Sequence, residues 1–393
     1  MRTAIFYSVI SLTSINAFAQ NSELPFLNVS DKQLPVNELS GLTMDAMPFD
    51  LDGDGDLDIL IANEHRPNIL LINDGTGKFT NESIQRIPQV AHDSEEVAIA
   101  DFDGDGDPDI IVVSEDDQTN EYYLNNGNGY FEDAGNRLNF TGTSNCVVTF
   151  DFNADGFPDL LVGNNGQNFL MINDQKGSFI NETWQRLGDM VDVTQDIALG
   201  DLDNDGDMDM VVGNEGMNRV LMNDGRGFFS VVLDAIPFRD SPEETREVDL
   251  GDIDGDGDLD IVFGNVQAFV NGAVRQNRLL LNNGEGYFTD VTGSRLPTDE
   301  DRSFSADFID IDYDGDLDIV TANVNGARFE GNTPFRVYIN CGKGYFSDKT
   351  SMFFADNVTG RGFDIDFADF NGDGKKDFFL SNRGTKDILL FAR

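Results

Sequence analysis

A nine-residue pattern, D-x-[DN]-x-D-G-x-x-D, occurs seven times in the chain, starting at Asp50, Asp101, Asp151, Asp201, Asp252, Asp310 and Asp369. Each copy offers side-chain oxygens at positions one, three, five and nine, and position seven can add its backbone carbonyl. The glycine at position six lets the chain reverse sharply. Cations of calcium's size take six to eight oxygens in flexible cages of this kind, whereas magnesium wants fewer protein ligands and stricter geometry. Transition metals favour imidazole or thiolate ligands, and no His or Cys stands among these carboxylates. The expected ion is Ca2+, up to seven of them in a structural role. The expected side-chain ligands are Asp50, Asp52, Asp54 and Asp58; Asp101, Asp103, Asp105 and Asp109; Asp151, Asn153, Asp155 and Asp159; Asp201, Asp203, Asp205 and Asp209; Asp252, Asp254, Asp256 and Asp260; Asp310, Asp312, Asp314 and Asp318; and Asp369, Asn371, Asp373 and Asp377. Asn153 and Asn371 keep the oxygen but drop a charge, and Lys375 and Lys376 sit inside the last loop. The third and seventh loops are therefore expected to bind most weakly.

The elements that hold these loops recur with them. The loops start 51, 50, 50, 51, 58 and 59 residues apart. A short apolar run such as Val97–Ala100 precedes the loop, and a second run such as Ile59–Asn63 follows it. After a turn comes a third run, such as Ile69–Ile72, which ends in a glycine-rich tight turn. A fourth run opens with phenylalanine, at Phe79, Phe131, Phe179, Phe229, Phe288 and Phe346. The runs are too short for helices and are punctuated as hairpins, so each repeat reads as four antiparallel strands, a to d. These flanks exclude the helices of an EF-hand, and the wide spacing excludes tandem nonapeptide rolls. Position two is always apolar (Leu51, Phe102, Phe152, Leu202, Ile253, Ile311, Phe370) and is expected to anchor the loop in the core.

A four-stranded unit is too small to bury its own faces. Repeats of this period stack into a ring or an array. The seventh repeat stops after its third strand. Phe26-Leu27-Asn28-Val29-Ser30 matches the pattern of Phe288-Thr289-Asp290-Val291-Thr292, so residues 26–30 are expected to supply the missing outer strand. The expected fold is all-β: one seven-bladed β-propeller over residues 20–393, with four antiparallel strands per blade and the N-terminal strand completing the last.

With the loop, the phenylalanine-opened strand and the 50-residue period, the chain resembles the FG-GAP/VCBS repeat family, the integrin-α-like propellers, across roughly residues 26–393. It looks more like that family's bacterial exported branch than an integrin. The FG-GAP dipeptides are poorly kept, with Phe263-Gly264 the nearest echo. The resemblance implies metal loops between strands a and b on one face, and partners on the other. It also implies a membership of adhesion modules, lectin-like proteins and some polysaccharide lyases.

On the face opposite the loops, two long neighbouring b–c connections, Asn265–Asn277 and Asn323–Phe335, carry Phe269 and Arg275, then Arg328 and Phe329. Nearby d–a connections add Arg302 and Arg361. Cations beside aromatic rings suit an acidic glycan or an acidic protein surface. A column five residues before each motif reads Asp45, Glu96, Cys146, Asp196, Glu247, Ser305 and Asp364, and is placed at one mouth of a central channel. For catalysis the chain offers only two histidines, His65 and His92, with Arg66 beside the first. No nucleophile or metalloprotease motif occurs. The reading favoured is a calcium-stabilised binding or scaffold module for glycan or protein, with an enzyme acting on acidic polysaccharide as the alternative.

Lys and Arg number 26 against 72 Asp and Glu, a net charge of −46, which excludes nucleic acid as a partner. Five loops hold five aspartates each and two hold three, so 31 of the 72 acids crowd into seven turns. Residues 1–19 read as a secretory signal, with Arg2, an apolar stretch and Ala17-Phe18-Ala19 before the cut. The protein is therefore expected outside the cytoplasm, whether periplasmic, cell-surface or extracellular, with no membrane span after cleavage. Cys146 and Cys341 lie in different repeats and are expected as thiols.

Overall fold

The computed structural model describes residues 24–39, 41–116, 118–238, 241, 243–324, 334–355 and 358–393. The expected signal segment, and Arg328 and Phe329, lie outside them. The fold is all-β, with strongly curled sheets. Among the described residues the pairing sorts the strands into seven antiparallel sets of four. In repeat one these are Thr43–Phe49, Asp58–Pro67, Ile69–Asn73 and Phe79–Asn81. Strand b opens on the ninth loop residue, one residue earlier than the apolar run suggests.

In three places strand b outruns its own hairpin and pairs with strand a of the next repeat. Glu64 lies opposite Asp93, Asn165 opposite Val193, and Glu215 opposite Glu244. After strand d most repeats add one helical turn, such as Ser83–Arg86 or Thr183–Arg186. The sequence reading missed these turns because four residues carry no periodicity. They start where Asn81 and Asn181 accept the amides of Ser83 and Thr183 through Oδ1, both at 3.1 Å.

The core consists of layers between repeats. One layer joins Leu51, Leu60 and Leu70 of repeat one to Val97, Ile110 and Tyr123 of repeat two, and another joins Phe370 and Phe379 of repeat seven to Ile59 and Phe79 of repeat one. All seven position-two residues are buried. The strand-d phenylalanines meet them edge-on: Phe79 on Phe370, Phe179 on Phe102 and Phe229 on Phe152, with centroids 5.7, 5.8 and 5.8 Å apart. Spacing the phenylalanines by one repeat therefore clamps each loop against the strand of its neighbour.

Phe26–Asn28 pairs antiparallel with Ile388–Ala392, in the register Phe26–Ala392. Phe26 is buried against Phe378 and Phe354, at 4.6 and 5.5 Å. Ser30 Oγ accepts the Leu389 amide at 2.9 Å. Phe26→Ala is expected to cost about 3–5 kcal/mol of unfolding free energy, and deletion of residues 20–32 to cost more. Chemical denaturation measures both, and a truncated protein with unchanged stability would show that this strand carries no load.

Candidate functional site

The loop carboxylates divide their labour by position. In loop one, Asp50 Oδ1 accepts the amides of Gly53 and Asp54 at 2.9 and 3.1 Å, and Oδ2 accepts Gly55 at 3.0 Å. The first aspartate thus folds the loop around itself. Asp58, at position nine, is fully buried. Its Oδ2 accepts the Leu51 amide at 3.1 Å and its Oδ1 the Asn73 amide at 2.9 Å. Asn73 then donates its side-chain amide to the carbonyl of Phe370, in the preceding loop, at 2.9 Å. The same relay runs from Asn125 to Leu51, Asn173 to Phe102, Asn282 to Leu202 and Asn340 to Ile253.

Positions one, three and nine converge: Asp50, Asp52 and Asp58 bring one oxygen each within 4.8 Å of one another. Burial pushes the position-nine acids up, to about 7 for Asp58, Asp109, Asp260 and Asp318 and to about 6 for Asp159, Asp209 and Asp377. Asp52 Oδ1 and Asp103 Oδ1, at position three, are buried without a hydrogen-bond partner. Orphaned carboxylate oxygens facing others of like charge fit a hard, oxygen-seeking cation. Loops three and seven differ. Asn153 donates its amide to Asp155 at 3.2 Å and Asn371 donates to Asp377 at 3.0 Å, so a donor stands where the other loops present only oxygens.

Sequence reasoning missed an arginine that ties these loops together. Arg86, Arg137 and Arg295 lie 3.3, 3.6 and 3.2 Å from Asp52, Asp103 and Asp254. Each also donates to a carbonyl in the next repeat's c–d turn: Asn128, Lys176 and Lys343. Arg186 makes the second contact alone, to Arg226. The signal was an arginine seven residues after the strand-d phenylalanine, six in repeat two.

The acids of the column come together around one cavity. Asp45, Glu96, Asp196, Glu247 and Asp364 line a cavity of about 170 Å³, joined by Arg246, Phe304 and Phe363. Much of the column works as struts. Asp45 accepts the Val97 amide at 2.8 Å, Glu96 accepts Val147 at 3.1 Å and Asp196 accepts Val248 at 2.7 Å, each from the next repeat's strand a. Asp249 does the same for Phe308 at 2.7 Å, and Asp364 for Ala46. Burial holds Asp45, Glu96, Glu247, Asp307 and Asp366 well above the usual carboxylate range and brings Asp196 to about 6.

Of the residues named for the opposite face, Phe269 is 76% exposed. Its loop is fastened at the root: the amides of Ala268, Phe269 and Val270 all donate to buried Glu244, at 2.8 to 3.0 Å. Its ring lies 5.4 Å from the Arg246 guanidinium, which also pairs with Glu215 and Glu244. Arg275 and Arg302 are likewise engaged. Arg361 is exposed, its amide donating to Asn382 at 2.8 Å. His65, Arg66 and His92 come together on one two-stranded ribbon, with Arg66 opposite His92. A tyrosine unnoticed in the sequence sits close by: buried Tyr123 donates to Glu121, whose other neighbours include His92.

A family model described as FG-GAP-like repeat matches residues 50–112, 101–162, 151–212, 201–263, 264–321 and 324–380. No curated protein sequence matches the chain significantly. Among solved structures, an Agrocybe aegerita lectin described as recognising non-reducing terminal N-acetylglucosamine is similar over 80% of this chain and 82% of its own, with 19% identity and TM-score 0.50. BBS1N, solved in complex with ARL6DN, is similar over 90% of this chain and 94% of its own, with 10% identity and TM-score 0.53. An extracellular domain of a B. thetaiotaomicron hybrid two-component system is similar over 94% of this chain and 40% of its own, with 13% identity and TM-score 0.55. At these identities the likeness is one of fold.

The buried acids in and around this cavity set a pH dependence. Carboxylic acids of the unfolded chain titrate near 4, below those of the cavity. Between the two, the folded chain holds more protons, so stability falls as pH rises from about 4 through about 6 and beyond. With calcium saturating, the unfolding midpoint is expected to drop between about pH 5 and about pH 8. Asp366→Asn is expected to raise it at the upper pH by about 2 °C or more. Calorimetry of both proteins checks this, and equal midpoints at the upper pH would contradict it.

Proposed function

We propose that this chain, which belongs to the family of FG-GAP-like repeat proteins, is an exported, calcium-stabilised, seven-bladed propeller that binds a glycan or protein ligand on the face opposite its aspartate loops. The four-stranded sets are its blades, and Phe26–Asn28 completes the last. The observation that carries the binding reading is Phe269: a large ring held out to solvent on a loop whose root is fixed by three amides on Glu244. A pre-ordered aromatic of this kind gives contact area at little entropic cost, and a sugar ring is a natural partner for it. The lectin and extracellular-domain neighbours support the same reading. Export rests on the apolar leader at residues 1–19. Among the described residues no helix is long and apolar enough to cross a membrane.

Arg246, beside Phe269, is spent on Glu215 and Glu244, and the nearby cavity is lined by acids. A neutral or amino-bearing ligand therefore suits it better than the acidic one that the sequence suggested. Calcium would be held by positions one, three, five and nine of each loop. It would neutralise carboxylates that otherwise repel, so its contribution is to folding. Phe269→Ala is expected to weaken binding on a glycan array by about tenfold, or 1.4 kcal/mol, with Arg275→Ala and Arg361→Ala mapping the edges of the site. Unchanged binding would move the site elsewhere. Chelation is expected to lower the unfolding midpoint, each site filled at a hundredfold over its Kd contributing about 2.7 kcal/mol, with loops three and seven emptying first. Metal analysis across a calcium series counts them.

The enzyme alternative draws on the ribbon that unites His65, Arg66 and His92 near Tyr123. Unsaturated-uronate absorbance on acidic polysaccharides, lost in His92→Ala, would establish it. Binding without turnover would set it aside.

A further inference from the structure

On the face opposite the aspartate loops, strand b of repeat one runs into its ribbon with repeat two through a shift of register between Glu64 and Arg66. His65 is the extra residue. Its φ is +58°, in the left-handed region. The same place in repeats three, four and seven is Gly166, Gly216 and Gly384, each with positive φ. Glycine adopts that backbone freely, while a histidine there is strained. Repeat one thus carries a side chain where repeats three, four and seven carry none, at a position that favours its absence. Bulges commonly re-aim a side chain in this way.

The imidazole is aimed at Asp93. Nδ1 lies 2.9 Å from Asp93 Oδ1. Asp93 is 3% exposed, and that oxygen is buried with no hydrogen-bond partner. Its other oxygen accepts the Asp116 amide at 3.0 Å. A nitrogen and an oxygen this close form an ion pair when the imidazole is protonated, and when it is neutral they are spaced like ligands about 90° apart on a six-coordinate ion with bonds of about 2.1 Å. Glu64 Oε1 stands 4.0 Å from Nε2. One ligand atom from each of Glu64, His65 and Asp93 lies within 4.8 Å of the others, and Asp93 forms a second such group with Glu115 and Asp116. Arg383 pairs with Glu64 and fixes its carboxylate in place. An imidazole nitrogen among carboxylates suits zinc or manganese, whereas the all-oxygen loops suit calcium.

We propose that Glu64, His65 and Asp93, backed by Glu115 and Asp116, form a divalent transition-metal site that joins repeats one and two on the face opposite the aspartate loops. Glu64 and His65 come from one repeat and the other three residues from the next, so an ion there bridges the two.

The chain has only two histidines, so its imidazole NMR spectrum reports each one separately. The probe is zinc, added to untagged protein with calcium saturating. His65 signals are expected to shift at stoichiometric zinc while His92 signals stay. His65→Gly, the residue of repeats three, four and seven, is expected to keep the unfolding midpoint of the metal-free protein or raise it. The same variant is expected to weaken zinc binding by about tenfold or more. Equal zinc affinity in His65→Gly and the parent protein, an unmoved His65 signal in excess zinc, or His65 and His92 shifting together would each overturn the proposal.

Discussion

The buried aspartate at loop position nine serves three structures with one carboxylate. One oxygen closes its own loop on the position-two amide. The other takes an amide at the end of strand c, and in five repeats an asparagine there grips the loop before it. Position two is in turn wedged under the next repeat's phenylalanine. No loop on this face is therefore held by its own repeat alone. A residue that reads as a metal ligand is first a junction between neighbouring repeats, and its burial follows from that.

The same economy explains much of the net charge of −46. In these repeats strand a turns an amide toward the strand a beside it, and an unmatched buried amide is costly. Asp45, Glu96, Asp196, Asp249 and Asp364 supply the missing acceptors. Glu244 does so for a whole loop and thereby holds Phe269 outward. Acids that composition alone would assign to solvation or to ions are, in these places, the acceptors of backbone hydrogen bonds between repeats. Arg86, Arg137 and Arg295 complete the pattern from the other sign, tying position three to the turn next door.

How much of this the sequence disclosed depends on the range of the interaction. The aspartate loops, the strands around them and the phenylalanine column repeat at one period, so they were legible. The anchoring of position two followed from its unvarying apolarity. The role of the cavity acids was not legible, because it requires knowing which amides lack partners in a neighbouring strand. The arginines were obscured by a one-residue offset in repeat two and by their absence from repeats four, six and seven. Nothing in the order of residues announces that Glu244 will organise Ala268 to Val270, or that strand b of repeat one will overrun and carry His65 to Asp93. Those contacts depend on where a strand stops, which packing decides and local pattern does not.

The pairing of Phe26–Asn28 with Ile388–Ala392 also orders events in time. Among the described residues every other strand pairs only with strands of its own repeat or the next one, so most strand pairing forms over short stretches of chain as it is made. This pairing joins the two most distant described strands, and loop-closure entropy and contact order both place it late. The segment synthesised early must wait, its Phe26 uncovered, until the last strand is available. A nascent chain therefore spends its whole elongation with one aromatic edge open. Any factor that escorts it before completion would be expected to hold it there.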